Sequence, residues 1–225
     1  MSPRRADPQL PLAIVEAAAT LLVEGGPAAL TARRLSAAVG RSTMAVYSHF
    51  HGMDDVVRAM VHEGFDRLYR RLSQVAVTAD PVADVVALSY AYRRNATEFP
   101  DLYRVMFGTS SLAGFALSDE DRQAGRYTLR FLIDAVDRAT AAGRFAPGDA
   151  EQVAQQLWIA LHGLVVLELG GYLIAPFDAE TCHQGQIQAL LAALGDEPES
   201  VRASVDCGRN RHLAGAAAGA APATA

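Results

Sequence analysis

The sequence predicts an all-α protein of about nine helices. Apolar residues recur at the helical period from about residue 9 to residue 194, and no stretch alternates convincingly as a strand. Capping residues, prolines and glycine pairs punctuate that periodic pattern where helices should begin and end.

The first helix runs from Gln9 or Pro11 to Glu24, with Ile14, Ala18, Leu21 and Leu22 along one side and Gly25-Gly26 closing it. Thr31 is a good N-cap for a second, which buries Leu35, Ala38 and Val39 before Gly40. Ser42 caps a third, short helix, and Gly52 precedes a fourth that reaches about Val75. Asp80-Pro81 pairs an N-cap with proline at the first helical position and opens a helix to Glu98. Pro100 opens a brief one. Ser118 and the acidic turn "SDEDR" suit the positive end of a helix reaching Ala142. Long helices follow over Asp149–Leu169 and Ala179–Leu194. The low-complexity residues 196–225, ending "HLAGAAAGAAPATA", read as a disordered tail.

The expected organisation is a head over 1–52, a larger body over 53–195, and that tail. Within 225 residues that are 51% apolar, no apolar run approaches the ~18 residues of a membrane span, and the N-terminus lacks the apolar core of a signal peptide. Two cysteines without C-x-x-C spacing point away from a disulfide framework, so a cytoplasmic protein is expected. The net charge of −5 is uneven: residues 1–51 hold five arginines against three acids, and the rest is acidic. Anionic partners therefore belong at the head.

The stretch "GRSTMAVYSHFHG" gives the head its purpose. Two short helices flanking Gly40-Arg41-Ser42 have helix-turn-helix spacing. At ~100° per residue, Ala45, Val46 and His49 lie towards Leu35 and Val39, whereas Thr43, Met44 and Tyr47 face away. Tyr47 can donate to a phosphate, Thr43 can meet a base edge or a thymine methyl, and Met44 can make apolar base contact. Arg33, Arg34 and Thr31 stand where the second helix would cross the backbone, and Arg41 and Ser42 in the turn complete the candidate set. Two readings stand for His49: a phosphate contact, or a packed structural histidine. Spacing alone also leaves room for a tyrosine that faces a protein.

Residues 9–57 resemble the DNA-binding domain of the TetR family of bacterial transcriptional regulators, through "LT-x-R-x-L", the glycine turn and Tyr47-Ser48-His49-Phe50. "AYRRNATEFPDLYRVMF" (91–107) and "LWIALHGLVVLELGGYL" (157–173) look like the ligand-binding domain of a subgroup named for Trp-His-Gly, here Trp158, His162 and Gly163. The resemblance implies that Thr31, Arg33, Thr43, Tyr47 and His49 contact double-stranded DNA, and that a homodimer reads a palindromic operator. Arg41 and Met53 depart from the pattern, which usually has a small apolar residue and a lysine there.

The 149–169 helix is apolar almost all round and needs cover on every side. Pairing it and the last helix with their copies gives a two-fold four-helix interface through Leu161, Val165, Leu169, Ile187, Leu190, Leu191 and Leu194. Aromatic residues are dense between 86 and 169, Phe115 among them. Tyr103, Phe107, Tyr127, Phe131, Trp158 and His162 are the candidate lining of a pocket for a small apolar or aromatic ligand. His162 and Glu168 are polar exceptions in an apolar helix, with His162 either a satisfied core or interface histidine or a ligand contact; Arg130 and Asp134 have the spacing of a surface pair.

No phosphate-cradling, nucleophile-elbow or metalloprotease motif occurs, so no enzyme, cofactor or metal is expected, and Cys182-His183 reads as helix surface. The expected function is a ligand-responsive repressor. The alternative is a helical protein–protein adaptor, which would have no use for the outward Thr43–Tyr47 face.

Overall fold

The computed structural model describes residues 7–107, 118, 119, 123 and 125–219. Among them it has no strand and ten α-helices: α1 (Leu10–Gly25), α2 (Ala32–Ala38), α3 (Thr43–Tyr47), α4 (Met53–Leu72), α5 (Pro81–Glu98), α6 (Pro100–Met106), α7 (Arg126–Ala141), α8 (Ala150–Leu169), α9 (Ala179–Ala193) and α10 (Pro198–Gly219). Phe115 and residues 120–122 of the acidic turn lie outside the described residues, as do residues 220–225. No described helix is long and apolar enough to cross a membrane.

The chain divides into two compact units, Met1–Arg67 with Phe99–Gly125, and Leu68–Glu98 with Arg126–Ala225. In the first unit α1 packs on α2 and α6, and α2 on α3. Ile14, Ala18, Leu22, Leu35 and Val46 are fully or almost fully buried. Burial of each large apolar side chain among them is worth about 1.5–3 kcal/mol, which is how a helix of five residues is held at all. Gly64 on α4 permits close approach: a Cβ there would lie 2.4 Å from Met106. Arg67 joins α1 to α4, donating to Glu16 and Glu63 at 2.6 Å each, with its guanidinium 4.2 Å from the Phe99 ring centre.

The second unit is built around α5, which contacts α7, α8 and α10 and is buried without a break from Pro81 to Tyr92. The expected disordered tail is corrected here, because residues 198–219 form α10. Val201, Ser204, Val205 and Gly208 make one buried stripe at helical spacing. A Cβ on Gly208 would meet the Ala83 carbonyl at 2.5 Å, so glycine sets how near α10 lies to α5. The alanine-rich end hid this stripe, although alanine is also the best helix former.

A network of ion pairs closes this packing. Asp84, buried on α5, accepts from Arg138 of α7 at 2.8 Å, Arg211 of α10 at 2.7 Å, and the Thr78 N–H and hydroxyl at 2.9 and 2.7 Å. Arg144 grips buried Asp196 with two bonds of 2.6 Å and donates to Ser204, whose hydroxyl donates to Asp80. Burial pushes the Asp84 carboxyl up, but the Thr78 N–H, the Thr78 hydroxyl and the two arginines outweigh it and hold it below the ordinary value. A carboxylate whose folded pKa is depressed stabilises above its unfolded value of 3.8 and loses that contribution as pH falls through the folded one.

Asp84→Ala should cost about 3 kcal/mol in urea unfolding at pH 7, the low end for a broken buried pair because both arginines reach water. The gap to wild type should narrow as pH drops below 3.8.

Candidate nucleic-acid interface

Two hydroxyls define the helix-turn-helix. Thr31, in extended backbone, accepts from the Arg34 N–H at 3.3 Å and caps α2; Ser42 does the same for α3 through the Ala45 N–H at 3.3 Å. Gly40 turns the chain between them with φ of +62°, a conformation glycine adopts without a Cβ penalty. The Arg41 N–H then donates to the Ser36 carbonyl at 2.9 Å, fixing the turn to α2.

With both ends fixed, Val46 anchors α3 at 0% exposure, while Met44 is 75% and Tyr47 50% exposed. Thr31, Arg33, Arg34, Ser42 and Thr43 also face solvent. The two capping hydroxyls use their oxygens as acceptors, so their hydrogens stay available for phosphate oxygens. The resulting surface joins two guanidiniums, three hydroxyls, a phenol and a thioether, which suits phosphate positioning and groove contact.

His49 is exposed, not packed beside Ala45: α3 ends at Tyr47, so residue 49 no longer follows the helical face. Arg41 carries a partner the sequence did not signal, Asp7, whose carboxylate accepts from it at 2.9 Å across 34 positions. Residue spacing has no means of announcing a contact over that separation.

The candidate ligand residues fall in both units. In the first, Tyr103 is buried with its ring 5.0 Å from Phe107, which meets Phe65 edge-on at 5.7 Å. In the second, Tyr127 and Phe131 lie 5.5 and 5.3 Å from Tyr69, and Tyr127 is largely exposed. Trp158 donates to the Tyr92 hydroxyl oxygen at 3.2 Å, and that hydroxyl lies 3.3 Å from His162 Nδ1. Tyr92 thus links the Trp158 indole to the His162 ring through its hydroxyl. Burial lowers the His162 pKa, so the ring is neutral at pH 7. Glu168, the other polar exception on α8, is held by Arg93 of α5 through bonds of 2.7 and 2.9 Å. Arg130 and Asp134 pair on the surface at 2.9 Å.

Four of the seven residues expected at the interface need correction, and the other three keep part of their surface. Leu161, Val165, Ile187 and Leu191 are buried within the chain's own core, and Leu169, Leu190 and Leu194 are half-buried. The face of α8 left to solvent is instead Ile159, Gly163, Val166 and Leu167, and that of α9 is Gly185, Ala189 and Ala192. A helix apolar on every side does not disclose which side its own chain covers.

Cys182-His183 is not helix surface. His183 is 1% exposed, and its Nε2 lies 3.0 Å from the Ser89 hydroxyl. That hydroxyl donates to the Val86 carbonyl at 2.7 Å, so its proton is committed to the backbone and the imidazole is left to donate to it. The pair is wired for packing rather than for a nucleophile with its base. No group of three metal-binding side chains occurs among the described residues.

Two family models match the chain: "Bacterial regulatory proteins, tetR family" over residues 14–60, and "Tetracyclin repressor-like, C-terminal domain" over 85–190. The HTH-type transcriptional regulator Rv0681 of Mycobacterium tuberculosis is 27% identical over 163 residues, 71% of this chain and 70% of its own. A Rhodococcus sp. RHA1 structure described as a protein with unknown function superposes with a TM-score of 0.71 at 25% identity, over 87% of this chain and all of its own. AibR, solved with isovaleryl coenzyme A and operator DNA, gives a TM-score of 0.62 at 21% identity over 81% of this chain and 98% of its own.

Thr31→Ala and Ser42→Ala should each lower stability by about 1 kcal/mol in chemical denaturation, the cost of an N-cap, with or without DNA in the sample.

Proposed function

Because the chain belongs to the TetR family of bacterial regulatory proteins, we propose that it is a homodimeric repressor released from a palindromic operator by a small, mostly apolar ligand. It is a transcriptional regulator with a DNA-binding helix-turn-helix and a ligand-binding C-terminal domain. The observation that carries the proposal is the solvent-facing set Thr43, Met44 and Tyr47 on a helix whose opposite side, Val46, is fully buried. An exposed methionine, threonine and tyrosine side by side on a helix in helix-turn-helix position suit contact with a base edge and a phosphate.

We assign DNA reading to residues 1–52 and ligand binding with dimerisation to 53–195, in a cytoplasmic protein. The C-terminal domain is placed in the Trp-His-Gly subgroup on Trp158, His162 and Gly163. Two copies meet through the exposed faces of α8 and α9, where Ile159, Val166 and Leu167 lie opposite small residues that allow close approach. Two-fold symmetry then sets two recognition helices about 34 Å apart, one helical turn of DNA. α4 is the lever: the division between the compact units falls within it. Ligand favours the dimer state with the wrong spacing, and a coupling of about 1–3 kcal/mol changes operator affinity by ~5- to 150-fold. AibR, which shares the fold, is solved with isovaleryl coenzyme A and operator DNA.

Selection from a randomised duplex pool should return a two-fold palindrome, and Tyr47→Ala should bind it about tenfold more weakly, ~1.4 kcal/mol. A Tyr47→Ala protein that binds as well as wild type would reject this reading face. Leu167→Glu should sediment as a monomer at micromolar concentration while the wild type sediments as a dimer.

A further inference from the structure

A groove of about 270 Å³ opens between α5, the start of α9 and α10, within the second unit. It is lined by Tyr90, Arg93, Arg94, Thr97, Glu180, Arg209, His212 and Leu213, none of which was singled out from the sequence as a site. Three guanidiniums face a single carboxylate there. That carboxylate is fully engaged: Glu180 accepts from Tyr90 at 2.8 Å, Arg93 at 2.7 Å and Gln184 at 2.9 Å, and Arg209 Nε lies 3.3 Å away. Burial pushes its pKa up, but those hydrogen bonds outweigh burial and bring it down to about 2.

The arginines differ in what they have left. Arg93 commits its whole fork, with Nε and Nη2 on Glu168 and Nη1 on Glu180. Arg94 places only Nε on Glu98, at 2.6 Å, and Arg209 only Nε near Glu180. The Nη groups of these two lining residues remain, one from α5 and one from α10. Between them Tyr90 stacks on His212, with ring centres 5.4 Å apart and planes 26° from parallel, and Leu213 adds an apolar rim. Burial and the positive charge of Arg94, Arg71 and Arg93 lower the His212 pKa, against the opposing charge of Glu180.

We infer that this groove is an oxyanion site that holds a carboxylate or phosphate between Arg94 and Arg209, with the body of the ligand against His212 and Leu213. Planar guanidinium forks match both oxyanions bidentately. The site is separate from the ligand residues assigned above and does not depend on the DNA-reading proposal. Occupancy would tie α10 to α5 and so raise the unfolding temperature.

Calorimetric titration of the full chain with benzoate and, separately, inorganic phosphate tests this. The expected result is saturable binding of one of them at one per chain, with Kd below about 1 mM, weakened at least tenfold in both Arg94→Gln and Arg209→Gln. Arg130→Gln, on the surface away from the groove lining, should leave it unchanged. Tighter benzoate assigns a carboxylate with a ring or chain behind it; tighter phosphate assigns a phosphate ester. Saturable binding by neither anion, or binding that survives both groove substitutions in proteins with wild-type unfolding temperatures, overturns the site.

Discussion

The second unit rests on the stretch of α5 from Pro81 to Tyr92 being buried from every direction. A helix in that position cannot leave a polar side chain to water, so each polar residue on it must find a partner on a neighbouring helix. Asp84 takes Arg138 and Arg211, Ser89 takes His183, Tyr90 takes Glu180, Tyr92 takes Trp158, and Arg93 takes Glu168. Those partners come from α7, α8, α9 and α10. The polar contacts of one buried helix therefore specify where four others sit, which apolar packing alone fixes less sharply. Among the described residues three buried side-chain atoms have no protein partner: Arg71 Nε, Asn95 Oδ1 and His183 Nδ1.

The head obeys a different constraint. α3 has five residues, below the length at which a helix persists on its own. Its shape comes from the Ser42 cap, from Val46 and from α2, leaving its outer side chains free of structural duty. A division within the helix follows: one side of the same five residues anchors it and the opposite side is left outward.

These two regimes explain what could be read from the sequence. Caps, turn glycine and outward residues of the helix-turn-helix are local features within a dozen positions, and Thr31, Gly40, Ser42 and Tyr47 stand in the structure where spacing puts them. Helix α10 was hidden because its buried stripe of valine, serine and glycine is weakly apolar and runs into an alanine tract. Its purchase on the body comes from Arg211 and Ser204, which meet Asp84 and Asp80 more than 120 positions away. Burial of His183 and the Asp7–Arg41 pair are long-range in the same sense. On α8 the difficulty was reversed: with apolar residues on every side, periodicity could not tell self-burial of Leu161 and Val165 from the outward Ile159 and Leu167.

The Asp7–Arg41 pair bears on how charge operates at the recognition face. Its guanidinium is not waiting for a phosphate but already holds an anion. A phosphate arriving there displaces one carboxylate, so the local charge balance hardly changes and Asp7 is set loose beside the incoming backbone. Such an exchange adds little to attraction at a distance, which depends on net charge. On the proposed DNA reading, it would reward only a phosphate that sits better in the fork than the carboxylate did, and Arg41 would act as a check on fit rather than a source of general affinity.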